Sequence, residues 1–471
     1  MTEFITMLVV FIIGYALIAL EHPIKVDKAA TALLLGMVLW IIYVFGRVDI
    51  LSLVNDSGQY LSQWWAEYLH ENQISNPTAG DMLGFITHHE VMHHLAEIST
   101  ILFFLLGAMT IVETVDQHQG FKIITDKIKT LSKIKLLWIL SFLTFFMSAT
   151  LDNLTTTIVM VALLRKLIAD QKSRWFFLSM VVLAANAGGA WSPIGDVTTI
   201  MLWIGGQVTT ANIISYVIFP SLVTMVIPLI LLSFTMKGEV ERPSADIANG
   251  ENLTTPSERW IFLVLGVAGL LFVPIFKTYT HLPPFMGMLL SLGVIWVVTE
   301  LIHQKKCEED RKKFTIVGVL RKVDVPTVFF FMGILMAVAS LQSAGHLGVL
   351  AKYLDENLGN IYAINLIIGI LSAIVDNVPL VAGAMGMYEI AEPGAVGYAA
   401  NFVVDGRFWQ FLAYCAGTGG SILIIGSAAG VAAMGMEKID FIWYAKKISW
   451  LALVGYLAGA GAYYLQMQII G

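Results

Sequence analysis

The chain has 471 residues, of which 57% are hydrophobic and 13% charged, and its formal net charge is −6. An ordinary soluble domain carries about a quarter charged residues, so this composition excludes one. It describes a polytopic membrane protein.

The N-terminal Met1-Thr2-Glu3 offers no basic region ahead of the first apolar run and no small-residue cleavage site, so the run at 5–20 reads as a retained helix. A bilayer takes about 20 helical residues to cross. Further runs of that order lie near 29–45, 98–115, 175–204, 212–236, 260–276, 283–302, 326–343, 408–434 and 441–466. Residues 49–96 read as largely extramembrane, with an amphipathic helix around 50–69. Two more apolar stretches, about 136–168 and 361–387, are each interrupted by Asp-Asn and read as re-entrant hairpins. Lys and Arg collect in cytoplasmic loops. With both termini external, all of the 28 basic residues except Arg47, Lys277, Lys352 and Arg407 fall on the cytoplasmic side. Cys307 and Cys415 suggest no disulfide framework.

The two interruptions are near copies: Ser148-Ala-Thr-Leu-Asp152-Asn153 and Ser372-Ala-Ile-Val-Asp376-Asn377. Glu97-Ile-Ser-Thr-Ile-Leu-Phe-Phe likewise matches Asp324-Val-Pro-Thr-Val-Phe-Phe-Phe, and Gly188–Gly195 matches Gly419–Gly426, all at similar offsets. Each half then holds five crossings and one hairpin, and an odd number of crossings turns the second copy upside down. The expected fold is therefore all-α, with two inverted repeats and broken helices at the midplane. The first repeat spans 1–236, a cytoplasmic linker 237–258 and the second repeat 259–471.

An acid within an apolar span is costly and is read first as a functional site. Asp152, Asn153, Thr155, Asn186, Asp196, Thr198, Thr199, Ser372, Asp376, Asn377, Ser421 and Ser427 supply carboxylate, amide and hydroxyl oxygens, a set suited to a hard cation such as Na+, placed at Asp152 and Asp376. Gly188, Gly189, Pro193 and Gly195, with Gly419, Gly420 and Gly426 in the partner segment, are expected to break two helices and expose backbone polar groups there. Buried acids that hold either a proton or a metal ion are the physical basis of cation/proton exchange. The same acids would repel an anionic cargo. Glu113, Glu97, Asp324 and His93 are further candidates for proton handling or pH sensing, with helix capping the competing role for Glu97 and Asp324. His281 and His346 read as surface residues.

The runs Asp152-Asn153-Leu-Thr-Thr, Gly188-Gly-x-x-Ser-Pro-Ile-Gly-Asp196-Val-Thr-Thr199 and Asp376-Asn377-Val-Pro resemble the NhaD-type sodium/proton antiporters of the ion-transporter superfamily. The resemblance covers most of the chain. It implies a homodimer with a scaffold part and a transport part that moves in an elevator-like manner, and by motif position it implicates Asp152, Asn153, Asp196, Thr198, Thr199, Ser372, Asp376 and Asn377. Leu423-Ile424 and Ser427 stand where the first break has Ser192-Pro193 and Asp196, a departure from exact repetition.

The expected activity is exchange of cytoplasmic Na+, with Li+ as a further candidate, for external H+ across the cell's inner (plasma) membrane. Neither a cofactor nor nucleic acid is expected. A second reading is a Na+-coupled symporter of a small organic anion. A third and remote one is a membrane zinc protease, from His89-Glu90-Val-Met-His93, which fits the H-E-x-x-H pattern.

Overall fold

The computed structural model describes residues 2–19, 24–54, 58, 60–125, 127–242, 254–304, 314–374 and 376–470. Among these residues the structure is helical, and β pairing is limited to isolated bridges. Half of the 237–258 join, residues 243–253, and Cys307 fall outside the described residues, whereas Cys415 is a buried free thiol.

Among the described residues seven helices are long and apolar enough to cross a membrane, or eight if the bent pair Phe441–Lys447 and Ser449–Ile469 forms one span. The crossings at 175–204 and 408–434 are split at their glycine runs, as expected: Gln171–Ala190 is followed by Val197–Ile204, and Arg407–Gly419 by Ala428–Glu437. Lys133–Leu151, expected as one arm of a hairpin, is apolar enough to cross by itself. Large apolar side chains such as Leu34, Phe45, Phe234, Val297 and Leu301 stand exposed. A water-facing monomer rarely tolerates so much apolar surface, and lipid explains it.

The chain divides into two compact units, each drawn from both sequence halves. The first comprises residues 1–103, 324–364 and 378–390. Its centre is the pair Lys28–Phe45 and Val325–Ser343. Gly36 and Gly333 let these backbones meet, since a Cβ on Gly36 would stand 2.5 Å from the Gly333 carbonyl oxygen. Trp40 donates to the Met336 carbonyl at 3.0 Å, and the Tyr43 hydroxyl to that of Ser343 at 3.3 Å. His346 is buried rather than at the surface, stacked on Phe4 and bonded to its carbonyl oxygen. The amphipathic helix expected at 50–69 is replaced by two short helices, Arg47–Leu51 and Gln63–Glu71.

The second unit comprises residues 104–323, 365–377 and 391–471. Thr210–Thr235 packs on Ser449–Ile470, where a Cβ on Gly459 would stand 2.1 Å from Thr224 Oγ1. The Tyr414 hydroxyl sits 2.6 Å from that of Thr224 and donates to the Tyr456 carbonyl at 2.7 Å. Residues 239–242, the start of the join, bridge to Ser132 and accept from Ala169, so they tie the entry and exit of the first interrupted segment together. On the same unit the Glu437 carboxylate is clamped between Arg165 at 2.5 Å and Arg174 at 3.0 Å.

Candidate ion-binding site

Helix Lys133–Leu151 stops at Asp152, and Asn153–Leu167 starts immediately after it. The reversal needs an unusual backbone: Asp152 has φ 75° and ψ 161°. That region is essentially reserved for glycine and costs about 1–3 kcal/mol elsewhere. Asp152 repays some of this by capping the next helix, accepting from Thr155 N at 2.7 Å and Thr155 Oγ1 at 2.8 Å. Retaining an acid at a strained turn points to a role for the carboxylate beyond capping.

Helix Gln171–Ala190 passes directly behind this turn. A Cβ on Gly188 would come within 2.1 Å of the Phe145 carbonyl oxygen, so only glycine lets the two helices touch. Gly189 and Gly195 meet across the break, where a Cβ on Gly189 would be 2.5 Å from the Gly195 carbonyl oxygen. Ser148 and Ser192 hold the parts in place by donating to the Ala185 and Ala149 carbonyls at 2.6 and 2.5 Å. The break therefore closes on itself at Asp196, which opens the next helix by accepting from Thr198 N at 2.9 Å and Thr198 Oγ1 at 2.7 Å. Thr199 donates to the Ala190 carbonyl at 3.4 Å.

Asp196 is the centre of the site. Only 1% of it is exposed. Its other oxygen accepts from the Asn153 amide at 2.6 Å, and Asn377, from the second Asp-Asn motif, faces its carboxylate. Asp152 and Asp376 lie close enough to act on it electrostatically. Neither Asp152 nor Asp196 pairs with a basic side chain among the described residues. Asn186 completes the cluster: its carbonyl oxygen accepts from Asn153 at 3.1 Å and its amide donates to Ser421 and Ser427, each at 2.9 Å. Ten of the expected oxygen donors thus form one connected network, which sequence spacing could not have centred on Asp196 rather than on the two motif aspartates.

The second half repeats the construction. A Cβ on Gly419 would stand 2.0 Å from the Gly369 carbonyl oxygen, and one on Gly420 2.7 Å from that of Gly426. Ser372 donates to the Ala416 carbonyl at 3.0 Å as Ser148 does to Ala185, which leaves only its lone pairs for another ligand. Ser427 caps the following helix with φ −143° and ψ 153°, near the −147° and 144° of Asp196. The break survives although Leu423-Ile424 replaces Ser192-Pro193, because the glycine contacts, not Pro193, fix its geometry.

The remaining candidates lie elsewhere. Glu113 keeps company with Asp116 and Lys322. Asp324 caps the helix Val325–Ser343 by accepting from Thr327. Glu97 does not cap: it sits within Val91–Gln117 and faces His93 at 3.2 Å and His94 at 3.6 Å. The zinc pattern does not assemble, since His89 and His93 are exposed whereas Glu90 is fully buried, and no cluster of metal-ligating side chains occurs among the described residues.

The family described as citrate transporter (CitMHS) matches residues 7–404. The chain is 45% identical over 461 residues to "Sodium/proton antiporter 1" of Arabidopsis thaliana, covering 98% of this chain and 72% of that one. It is 43% identical to "Sodium/proton antiporter 2" of the same plant, over 97% of this chain and 98% of that one. It is also 30% identical to "Na(+)/H(+) antiporter NhaD" of Halomonas elongata, covering 77% and 74%. A polytopic chain with these matches and with paired Asp-Asn turns around a buried aspartate belongs to the CitMHS transporter family, among its NhaD-type sodium/proton antiporters.

Proposed function

We propose that the chain exchanges cytoplasmic Na+ for external H+ at the Asp196 network. The carrying observation is a buried carboxylate reached by amides of both Asp-Asn motifs and flanked by two further aspartates, with no basic side chain among the described residues paired to Asp152 or Asp196. Carboxylate, amide and hydroxyl oxygens are the ligands a hard monovalent cation takes. Asp196 would hold Na+, with Asn153, Asn377, Thr198, Ser421 and Ser427 supplying or orienting further oxygens and Asp152 and Asp376 adding negative charge nearby. Three neighbouring acids cannot all remain ionised away from water without a counter-charge. Either a sodium ion or protons supply it, and that mutual exclusion couples the two fluxes.

The relatives named as sodium/proton antiporters support this reading, and the charge of the site disfavours citrate or another polyanion as cargo. The matched breaks, with Ser427 in the place of Asp196, support two repeats at 1–236 and 259–471 joined through 237–258. An odd number of crossings in each makes them inverted and puts both termini on one side, the external one by the distribution of Lys and Arg. Li+, which takes the same oxygen ligands, is a second cargo. A homodimer with an elevator-like movement in the plasma membrane follows from the resemblance alone.

The test is a pH-gradient assay on proteoliposomes with a pH-sensitive dye, adding Na+, Li+, K+ or citrate in turn. Sodium should discharge the gradient in the wild type and not in Asp196→Asn. Discharge that requires citrate would establish the symport reading instead.

A further inference from the structure

Glu90 is a carboxyl that the exchange site does not use. It closes a π-helical turn, Phe85–Glu90, at the head of Val91–Gln117. Such turns are rare and occur often at functional sites. Here that side chain points into the core of the first unit. Glu90 is 0% exposed and, among the described residues, neither of its carboxyl oxygens has a hydrogen-bond partner.

The groups that face it come from three elements. From Lys28–Phe45 comes the Tyr43 hydroxyl, which is itself faced by Ser62; from Val325–Ser343 comes Ser343; and on its own helix the next buried polar side chain is His94, one turn on. No Lys or Arg among the described residues is among them. An ionised carboxylate so placed would lack a counter-charge, whereas a protonated one needs none.

A route to the surface is built in. His94 is 3% exposed, and its Nε2 lies 3.1 Å from Ser343 Oγ. Its Nδ1 lies 3.6 Å from Glu97, a carboxylate that is 60% exposed and also pairs with His93. An imidazole with one nitrogen toward an exposed acid and the other toward a buried hydroxyl can pass a proton without leaving its place. Trp64 stacks on His94 with ring centroids 4.9 Å apart, which fixes the ring's plane.

We propose that Glu90 is a proton-binding site separate from the aspartate network, loaded through Glu97, His94 and Ser343, and that its occupancy sets the pH dependence of transport. The transfer balances: His94 takes a proton at Nδ1 and gives one from Nε2 to Ser343, which hands its hydroxyl proton to Glu90. One proton enters from water and one carboxylate becomes a carboxylic acid. The transport half of the proposal rests on the exchange reading, but the proton-binding half does not.

The test therefore has two arms on the full-length reconstituted protein. Infrared difference spectra between acid and alkaline pH, without sodium, should show the carbonyl stretch of a protonated carboxylic acid that disappears in Glu90→Gln. His94→Gln should retain that band but slow its appearance after a pH jump. In the second arm, Glu90→Gln should keep sodium-dependent exchange with a pH profile moved by a unit or more, while His89→Ala, an exposed neighbour, leaves it unchanged. A difference spectrum identical in wild type and Glu90→Gln overturns the proposal. So does an unchanged pH profile in a Glu90→Gln protein that still exchanges. If the wild type shows the Glu90 band but no exchange, the exchange reading fails and the proton site stands.

Discussion

Replacing Asn153 by alanine removes the amide that donates to Asp196 at 2.6 Å and to Asn186 at 3.1 Å, and disturbs little else, since the Asn153 carbonyl still accepts from Thr157. A hydrogen bond to a charged group contributes about 1.5–3 kcal/mol net. At about 1.4 kcal/mol per decade, its loss should raise the sodium concentration for half-maximal exchange by about 10- to 150-fold. Asn377→Ala should fall in the same range, because it reaches the same carboxylate from the other motif. The two donors share one acceptor, so the double variant should depart from the product of the single effects. The assay is sodium titration of dye-reported proton efflux from proteoliposomes at fixed pH. A half-saturation unchanged in both single variants would refute the view that Asp196 is oriented by the two motifs.

The other predictions are structural or pH-linked. Asp152→Gly and Asp152→Ala should both abolish exchange, yet the glycine variant should be about 1–2 kcal/mol the more stable, because only glycine relaxes the φ 75° turn; thermal unfolding in detergent measures this. Gly188→Ala should unfold at a clearly lower temperature or fail to accumulate, since its Cβ would meet the Phe145 carbonyl at 2.1 Å, whereas Gly461→Ala, with nothing within 4 Å, should behave as wild type. Glu437→Gln should lower stability by about 1–3 kcal/mol by leaving Arg165 and Arg174 without their shared anchor, the half-exposed Arg165 setting the low end. At the loop before Gln171–Ala190, hydrogen bonds from Ser173 hold the Asp170 carboxyl below its ordinary value. A depressed acid stabilises the fold above its unfolded value and loses that contribution as pH falls through the folded one. Stability should therefore drop further on the acid side in the wild type than in Asp170→Ala, as seen by melting at a series of pH values.

Much of this site is written in the chain because its parts are local. Asp152-Asn153 and Asp376-Asn377 each interrupt an apolar run, and the Gly188–Gly195 and Gly419–Gly426 pairs mark the breaks that follow. What spacing does not carry is which acid the network converges on. Asn153, Asn186, Asp196 and Asn377 meet only once the hairpins are folded back, and Asp196 draws donors from partners 43 residues away and in the other half. Asn186 shows the same limit: it is legible as a candidate oxygen ligand, but its partners Ser421 and Ser427, more than 230 residues on, are not. At the His89–His93 stretch the pattern misleads for a different reason. His89 and His93 do share one face, but that face is exposed while Glu90, on the adjoining face, is buried, so the three never converge. His346 was misread because a polar residue at a helix start looks solvated until Phe4 is stacked on it.

The most direct test of competition between sodium and protons at Asp196 needs no membrane. Sodium is added to weakly buffered, detergent-solubilised protein and the released protons are counted. The account requires release in the wild type and none in Asp196→Asn. Equal release from both proteins, or sodium binding without release, would contradict it.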